Sequence, residues 1–254
     1  MSDPSNPEEQ RRINPWTLWI PIIFIVLGVV VFYNYLIYNS LEEKKAKNAL
    51  NSDGSGTVRG SERPAYMGRL EKDLELTERS GRTVHLADLR GKILIASWVF
   101  TRCPRGCAGV VAKLKKLQEE VGNNPNVQFI SFTLDPDDTP EMMKKFASGI
   151  GIQDTDNWWF LNGPKDDVRK YLTLSFKFRP VQDLPVADRL TPDDKYIHDL
   201  RVALVDHQGH VRGLHDVMNS DPQFQEYWDK QIRKDLAYLL EEQKKDTQQA
   251  AKNP

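Results

Sequence analysis

The chain has almost no surplus charge. It carries 35 Lys and Arg against 36 Asp and Glu over 254 residues, a net charge of −1. No basic footprint is visible, which excludes nucleic acid as a partner. Cysteine is just as scarce: Cys103 and Cys107 are the only two, and they stand four apart. Between Ile13 and Leu41 charge is missing altogether. No small-x-small cleavage site accompanies that apolar run, and it is longer than a signal-peptide core, so an uncleaved segment is expected in place of a cleavable leader.

The uncharged run points to a membrane. Its densest part, Trp16 to Tyr33, approaches the roughly 20 apolar residues that a bilayer core requires of a helix. Trp16 and Trp19 lie at one end, and Tyr33, Tyr35 and Tyr38 at the other, where aromatic belts belong. A buried soluble helix is the alternative, but here every helical face is apolar. The expectation is a polar tail over 1–12, an uncleaved transmembrane anchor over 13–38 and a linker over 39–62. A domain over 63–245 and a polar tail over 246–254 follow. The linker includes the flexible Asn51-Ser52-Asp53-Gly54-Ser55-Gly56. Arg11 and Arg12 precede the anchor, while Lys44, Lys45 and Lys47 follow it mixed with Glu42 and Glu43, so charge alone does not orient it.

Beyond residue 63 the hydrophobic pattern alternates between strand and helix periods. Leu74–Glu78 and Arg82–Leu86 read as a hairpin around Ser80-Gly81. Ile93–Phe100 and Val127–Leu134 are apolar throughout, as buried strands are. Between them Val110, Val111, Leu114, Leu117 and Val121 form a helical stripe. Thr139-Pro140 opens a second helix with a cap and a first-turn proline. Strands are expected at 158–161, 200–205 and 210–214, and helices at 166–173 and 224–243. Residues 179–195 form a long polar loop. This is an α/β domain with a central mixed sheet, in a thioredoxin-like order.

The two cysteines sit where the strand Ile93–Phe100 meets the helix behind it. Pro104 suits a first helical position, which would place both sulfurs on one face of the first turn. Free N–H groups there, with Arg102 and Arg105, favour thiolate. Such a pair can cycle between dithiol and disulfide or hold a soft metal ion. Small apolar cysteines filling a helix junction are the plain alternative, and two in a whole chain at one helix start argue against it. The three-residue gap departs from the Cys-x-x-Cys of thioredoxin-type enzymes.

A metal needs a further ligand. In a sheet of this order His198, just before the strand 200–205, lies beside the cysteine-bearing helix. No proline precedes that strand; the nearest is Pro192. Two thiolates and one imidazole suit Cu(I) and accept Cu(II) or Zn(II). A surface-loop histidine with no ligand role is an equal reading of His198 on these residues. His85, His207 and His210 sit in or beside hairpins. His215-Asp216 reads as a solvated loop before it reads as a pair supporting a site. Met142 and Met143 lie on an amphipathic helix. Asp135-Pro136-Asp137-Asp138 is explained by turn and cap chemistry before cation binding.

These stretches resemble the Sco/SenC family of membrane-anchored, thioredoxin-like copper proteins. The resemblance runs from about residue 64 to 243. It rests on Leu89-Arg90-Gly91-Lys92, Phe100-Thr101-x-Cys103-Pro104-x-x-Cys107, Asp135-Pro136-x-x-Asp138-Thr139-Pro140-Glu141, Tyr196-Ile197-His198, and Asp206-x-x-Gly209. It implies a copper site at Cys103, Cys107 and His198. It further implies a role in assembling the CuA centre of cytochrome c oxidase, as metallochaperone or as thiol reductant. The implied partners are the oxidase subunit carrying CuA or another copper chaperone. The implied location of the domain is the periplasm or the mitochondrial intermembrane space. Family members usually have an acidic residue between the cysteines and Pro after the second. Here Arg105-Gly106 and Ala108 stand instead, and a cation at 105 could repel a metal ion or tune the thiols toward redox work.

Two enzymatic readings compete. One is a thiol–disulfide oxidoreductase cycling Cys103 and Cys107, against which the longer gap and the missing corner proline count. The other is a peroxiredoxin-like peroxidase with Cys103 as the peroxidatic thiol; Thr101 is compatible, but position 96 is Ala where a proline is expected.

Overall fold

The computed structural model describes residues 26–37 and 63–252. The chain divides into two units, residues 1–50 and 51–254. In the first unit residues 26–37 form a helix, α1, whose Val, Leu, Phe and Tyr side chains are exposed. Most of the expected anchor over 13–38 lies outside the described residues, as do the tail 1–12 and the whole linker 39–62. Among the described residues, no helix is long and apolar enough to cross a membrane.

In the second unit the elements follow in the order β1 (Gly68–Arg69), β2 (Glu75–Glu78), β3 (Thr83–His85), β4 (Ile93–Val99), α2 (Cys107–Val121), β5 (Val127–Thr133), α3 (Pro140–Gly149), β6 (Trp158–Asn162), α4 (Lys165–Leu174), β7 (Gln182–Asp183), β8 (Tyr196–Ile197), β9 (Val202–Val205), β10 (His210–His215) and α5 (Pro222–Lys252). Eight strands make one sheet in the order β1-β10-β9-β4-β5-β6-β2-β3, and β7 pairs with β8 apart from it. β4, β5 and β6 run parallel, while β9 lies antiparallel against β4. The sheet is therefore mixed, as expected. β4 and β5 are buried at every position. Central strands covered on both faces read as continuous apolar runs for that reason.

Side chains alternate across the pleat, so β4 feeds two cores. Ile93, Ile95 and Val99 pack with Val110, Val111 and Leu114 of α2, Met143 of α3 and Ile232 and Leu236 of α5. Leu94, Ala96, Trp98 and Phe100 pack on the other face with Val168, Tyr171 and Leu172 of α4 and with Phe176 and Phe178. Helices thus cover both faces. Thr139 caps α3 as expected, its hydroxyl accepting from the Met142 N–H at 3.3 Å, with Pro140 in the first turn.

Three local expectations change. α2 starts at Cys107 behind Gly106, not at Pro104, so Cys103 lies in the preceding turn. α5 runs on through the expected polar tail to Lys252. Its last turns are rich in Gln, Lys and Ala, which suit a helix, and Asp246 takes the side chains of His207 and Gln208 at 3.1 and 3.0 Å. The loop 179–195 contains β7 and a 3-10 turn at Val186–Asp188.

Candidate metal centre

β4 ends at Val99, and the Cys103 N–H donates back to the Phe100 carbonyl at 3.1 Å. That turn lifts Cys103 to the edge of the core, where it is half-buried. Gly106 then adopts φ 130°, which side chains strongly disfavour, and swings the chain into α2 with Cys107 fully buried at its start. Asp138 holds this turn from beneath. It is 0% exposed and accepts from the Thr101 N–H at 2.9 Å, the Thr101 hydroxyl at 2.5 Å and the Thr133 hydroxyl.

His198 arrives from the β7–β8 hairpin. Tyr196 anchors the hairpin, its ring meeting that of Phe100 edge-on at 5.4 Å and lying under the Arg169 guanidinium at 4.8 Å. His198 Nδ1 is 2.9 Å from the Asp199 carbonyl. A carbonyl can only accept, so Nδ1 donates to it, and Nε2 is the ring nitrogen turned toward the thiols. Nε2 lies 3.1 Å from Cys107 Sγ. The Asp199 carboxylate accepts from the backbone N–H groups of Arg179 (2.9 Å) and Arg201 (3.1 Å) and from Arg201 Nη2 (2.6 Å). Burial alone would raise its pKa, but these partners outweigh burial and keep it low.

The ligand atoms of Cys103, Cys107 and His198 all lie within 4.8 Å of one another. That is about the reach of two metal–ligand bonds of roughly 2.0–2.3 Å each. Among the described residues it is the one such group of three. The donor set is soft, with two sulfurs and one imidazole, and fits copper.

The thiols are not equivalent. Cys103 is lowered to about 4, first because the Cys107 thiol hydrogen-bonds to it; burial opposes this, and His198 and the backbone N–H groups of Cys107 and Arg105 assist. Cys107 is pushed well up by burial and by the negative Cys103 beside it. One proton is therefore shared unequally, with the thiolate at Cys103. The expected help from the N–H groups of the turn is present, and Arg105 also feels the Cys103 charge, but the Cys107 thiol comes first among the causes. Both guanidinium groups are also engaged by carboxylates: Arg102 donates to Asp135 at 2.9 Å and lies 3.4 Å from Asp193, and Arg105 grips Asp194 through two contacts of 2.6 Å.

The remaining histidines all face carboxylates. His85 meets Asp73 (2.8 Å), His207 meets Asp246 (3.1 Å), and His210 meets Asp206 (3.3 Å). His215 is fully buried at the end of β10 and pairs with Asp235 of α5 at 2.8 Å, so the expected solvated loop is corrected to a buried ion-pair position. Asp135 takes Lys195 as well as Arg102, so Asp135-Pro136-Asp137-Asp138 spends its carboxylates on protein donors. Met143 is core. Thr101 gives its hydroxyl to Asp138 and is not free to serve Cys103 as a peroxidatic partner. Asp194 and Asp199 were not singled out from sequence; each is one Asp among many until the fold brings it to its arginine.

A family model described as SCO1/SenC matches residues 63–233. The SCO1 protein homolog of Bacillus subtilis (strain 168) is 31% identical over 136 residues, covering 52% of this chain and 66% of that relative, just under two thirds. The crystal structure of a SCO1/SenC family lipoprotein from Bacillus anthracis str. Ames is similar at 27% identity and a TM-score of 0.52, over 66% of this chain and 96% of that one. A structure of BsSco, described as a member of the Sco family of cytochrome c oxidase assembly proteins with a disulfide switch, is similar at 26% identity and a TM-score of 0.54, over 68% and 95%.

Proposed function

We propose, for a chain that belongs to the SCO1/SenC family, that Cys103, Cys107 and His198 hold one copper ion in the service of cytochrome c oxidase assembly. The observation that carries the reading is the convergence of those three ligand atoms within 4.8 Å, in a chain with two cysteines. Copper is cargo here. Cys103 supplies a ready thiolate, Cys107 gives up its proton on binding, and His198 closes the site through Nε2, its tautomer fixed by Asp199. BsSco's description supports the oxidase assignment. The receiving partner would be the subunit that takes up CuA copper, or another copper chaperone. Residues 13–38 would anchor the chain, with the domain in the periplasm or an intermembrane space; the description of the Bacillus anthracis relative as a lipoprotein supports membrane association in general.

The unequal thiols favour a second reading, thiol reduction of the target. The Cys103 thiolate would attack a target disulfide and form a mixed disulfide. Cys107, losing its proton, would then attack Cys103 and release the target as a dithiol. Two electrons pass to the target and the chain is left with a Cys103–Cys107 disulfide. The disulfide switch named for BsSco is consistent with this chemistry.

One experiment separates the readings. The reduced full-length chain in detergent is titrated with Cu(I), and copper per chain is measured for it and for Cys107→Ser and His198→Ala. One copper in the native chain, none in Cys107→Ser and weakened binding in His198→Ala support the metal site. No copper, with rapid reduction of a disulfide substrate, overturns it in favour of the thiol reading.

A further inference from the structure

The segment Asp193-Asp194-Lys195, three to five residues before His198, is tied by charge to the cysteine turn. Arg105, between the two cysteines, places Nε 2.6 Å from Asp194 Oδ1 and Nη2 2.6 Å from Oδ2. Asp194 also accepts the Leu190 N–H at 2.9 Å. Its carboxylate is 0% exposed although it lies near the surface, because Arg105 and its own loop cover it. Arg105 holds it below the ordinary carboxylate range, with the Leu190 N–H assisting. Alongside, Arg102 reaches Asp193 (3.4 Å) and Asp135 (2.9 Å), and Lys195 reaches Asp135 (3.0 Å).

β7 and β8 are two residues each and stand outside the main sheet. Main-sheet hydrogen bonding therefore does not hold the histidine arm. Its fixings include the buried Tyr196, the Asp183 contacts to Lys165 and Arg169 of α4 and the Asp199 network just behind His198, and on the cysteine side these ion pairs. A bidentate guanidinium–carboxylate contact fixes both distance and plane, which a single lysine contact does not.

We infer that Arg105 is a positioning residue: its bidentate grip on Asp194 docks the β7–β8 hairpin against the cysteine turn and so sets His198 Nε2 against the thiols. This rests on the metal-site reading for its functional meaning, and its structural part stands independently. It also reverses the expectation that a cation at 105 opposes metal binding, since the Arg105 charge is neutralised by Asp194.

The test uses the full-length chain in detergent with Arg105→Ala, Arg105→Lys, Asp194→Asn and the Arg105→Ala/Asp194→Asn double variant. In the metal-free reduced proteins, hydrogen exchange is followed over residues 190–199. Cu(I) affinity is measured by competition with a chelator, and X-ray absorption reports whether copper keeps a nitrogen neighbour. Exchange is expected to rise in Arg105→Ala and Asp194→Asn. Affinity is expected to fall ten- to a hundredfold, the usual cost of losing a group that orients a ligand, with the nitrogen neighbour lost. Arg105→Lys should fall between. The double variant should bind no more weakly than Asp194→Asn, which alone leaves an unpaired cation by the site. Faster exchange with affinity within twofold of native would make the pair merely structural and overturn the inference; unchanged exchange would overturn it outright. If the native chain takes no copper, the metal-site reading fails, and the exchange arm still decides whether Arg105 positions the His198 hairpin.

Discussion

Consider alkylation of Cys103 by iodoacetamide in the reduced, metal-free protein between pH 5 and 9. With its thiol at about 4 against an ordinary value of 9.0, Cys103 is about 99% thiolate at pH 6, where an ordinary thiol is about 0.1%. The rate does not gain that full thousandfold. Nucleophilicity falls with pKa along a Brønsted slope of about 0.4–0.5, so a drop of about five pH units removes roughly 2 to 2.5 decades. The net advantage at pH 6 is only about three- to tenfold, and above about pH 6.5–7 an ordinary thiol overtakes it. A rate at one pH is thus weak evidence, and the shape of the profile decides. The rate should be flat within about twofold from pH 5.5 to 8. Cys107→Ala removes the foremost cause of the depression and should restore a rate that climbs with pH. A native rate rising about tenfold per pH unit toward pH 8–9 would refute the unequal-thiol account. The sign for stability follows. A folded pKa below the unfolded one stabilises above the unfolded value, and that stabilisation is lost as pH falls through about 4. Chemical denaturation of the reduced protein should therefore show this contribution declining between pH 9 and pH 4.

Two further outcomes concern the cysteine turn itself. Asp138→Ala leaves the Thr101 N–H and the Thr101 and Thr133 hydroxyls without their acceptor; urea denaturation should show a loss of about 2–5 kcal/mol, since stranded buried donors cost about 1–3 kcal/mol each and partly relax. A change under about 1 kcal/mol would mean that Asp138 does not hold the turn. Gly106→Ala should cost about 1–3 kcal/mol through backbone strain alone. The nearest atom to the added Cβ, Leu200 Cδ1, is 3.9 Å away, so crowding is not the cause. A neutral result in thermal denaturation would show that the turn adapts without glycine.

Much of the domain could be read from residue order. β4 and β5 are legible because a strand buried on both faces must be apolar throughout, and α2 because Val110, Val111, Leu114 and Leu117 recur at helical spacing. Thr139-Pro140 marks its helix because cap and first-turn chemistry are local. The polarity of residues 246–254 suggests a tail; helix-forming residues and the contacts of Asp246 carry α5 on to Lys252. Pro104 fits a helix start and so suggests an earlier first turn for α2, whereas the positive φ of Gly106 puts that start at Cys107.

The sequence by itself determined the soft donors, their scarcity and the strand-to-helix junction that presents them. These follow from side-chain chemistry and from hydrophobic period, both local along the chain. The tertiary structure alone decided that His198 comes within 3.1 Å of Cys107, that the thiolate resides on Cys103, and that Arg105 is neutralised by Asp194. Each of these depends on groups about 90 residues apart in sequence, or on which of two sulfurs burial reaches. Charge compensation and desolvation act through space, so the order of residues does not contain them until the chain is folded.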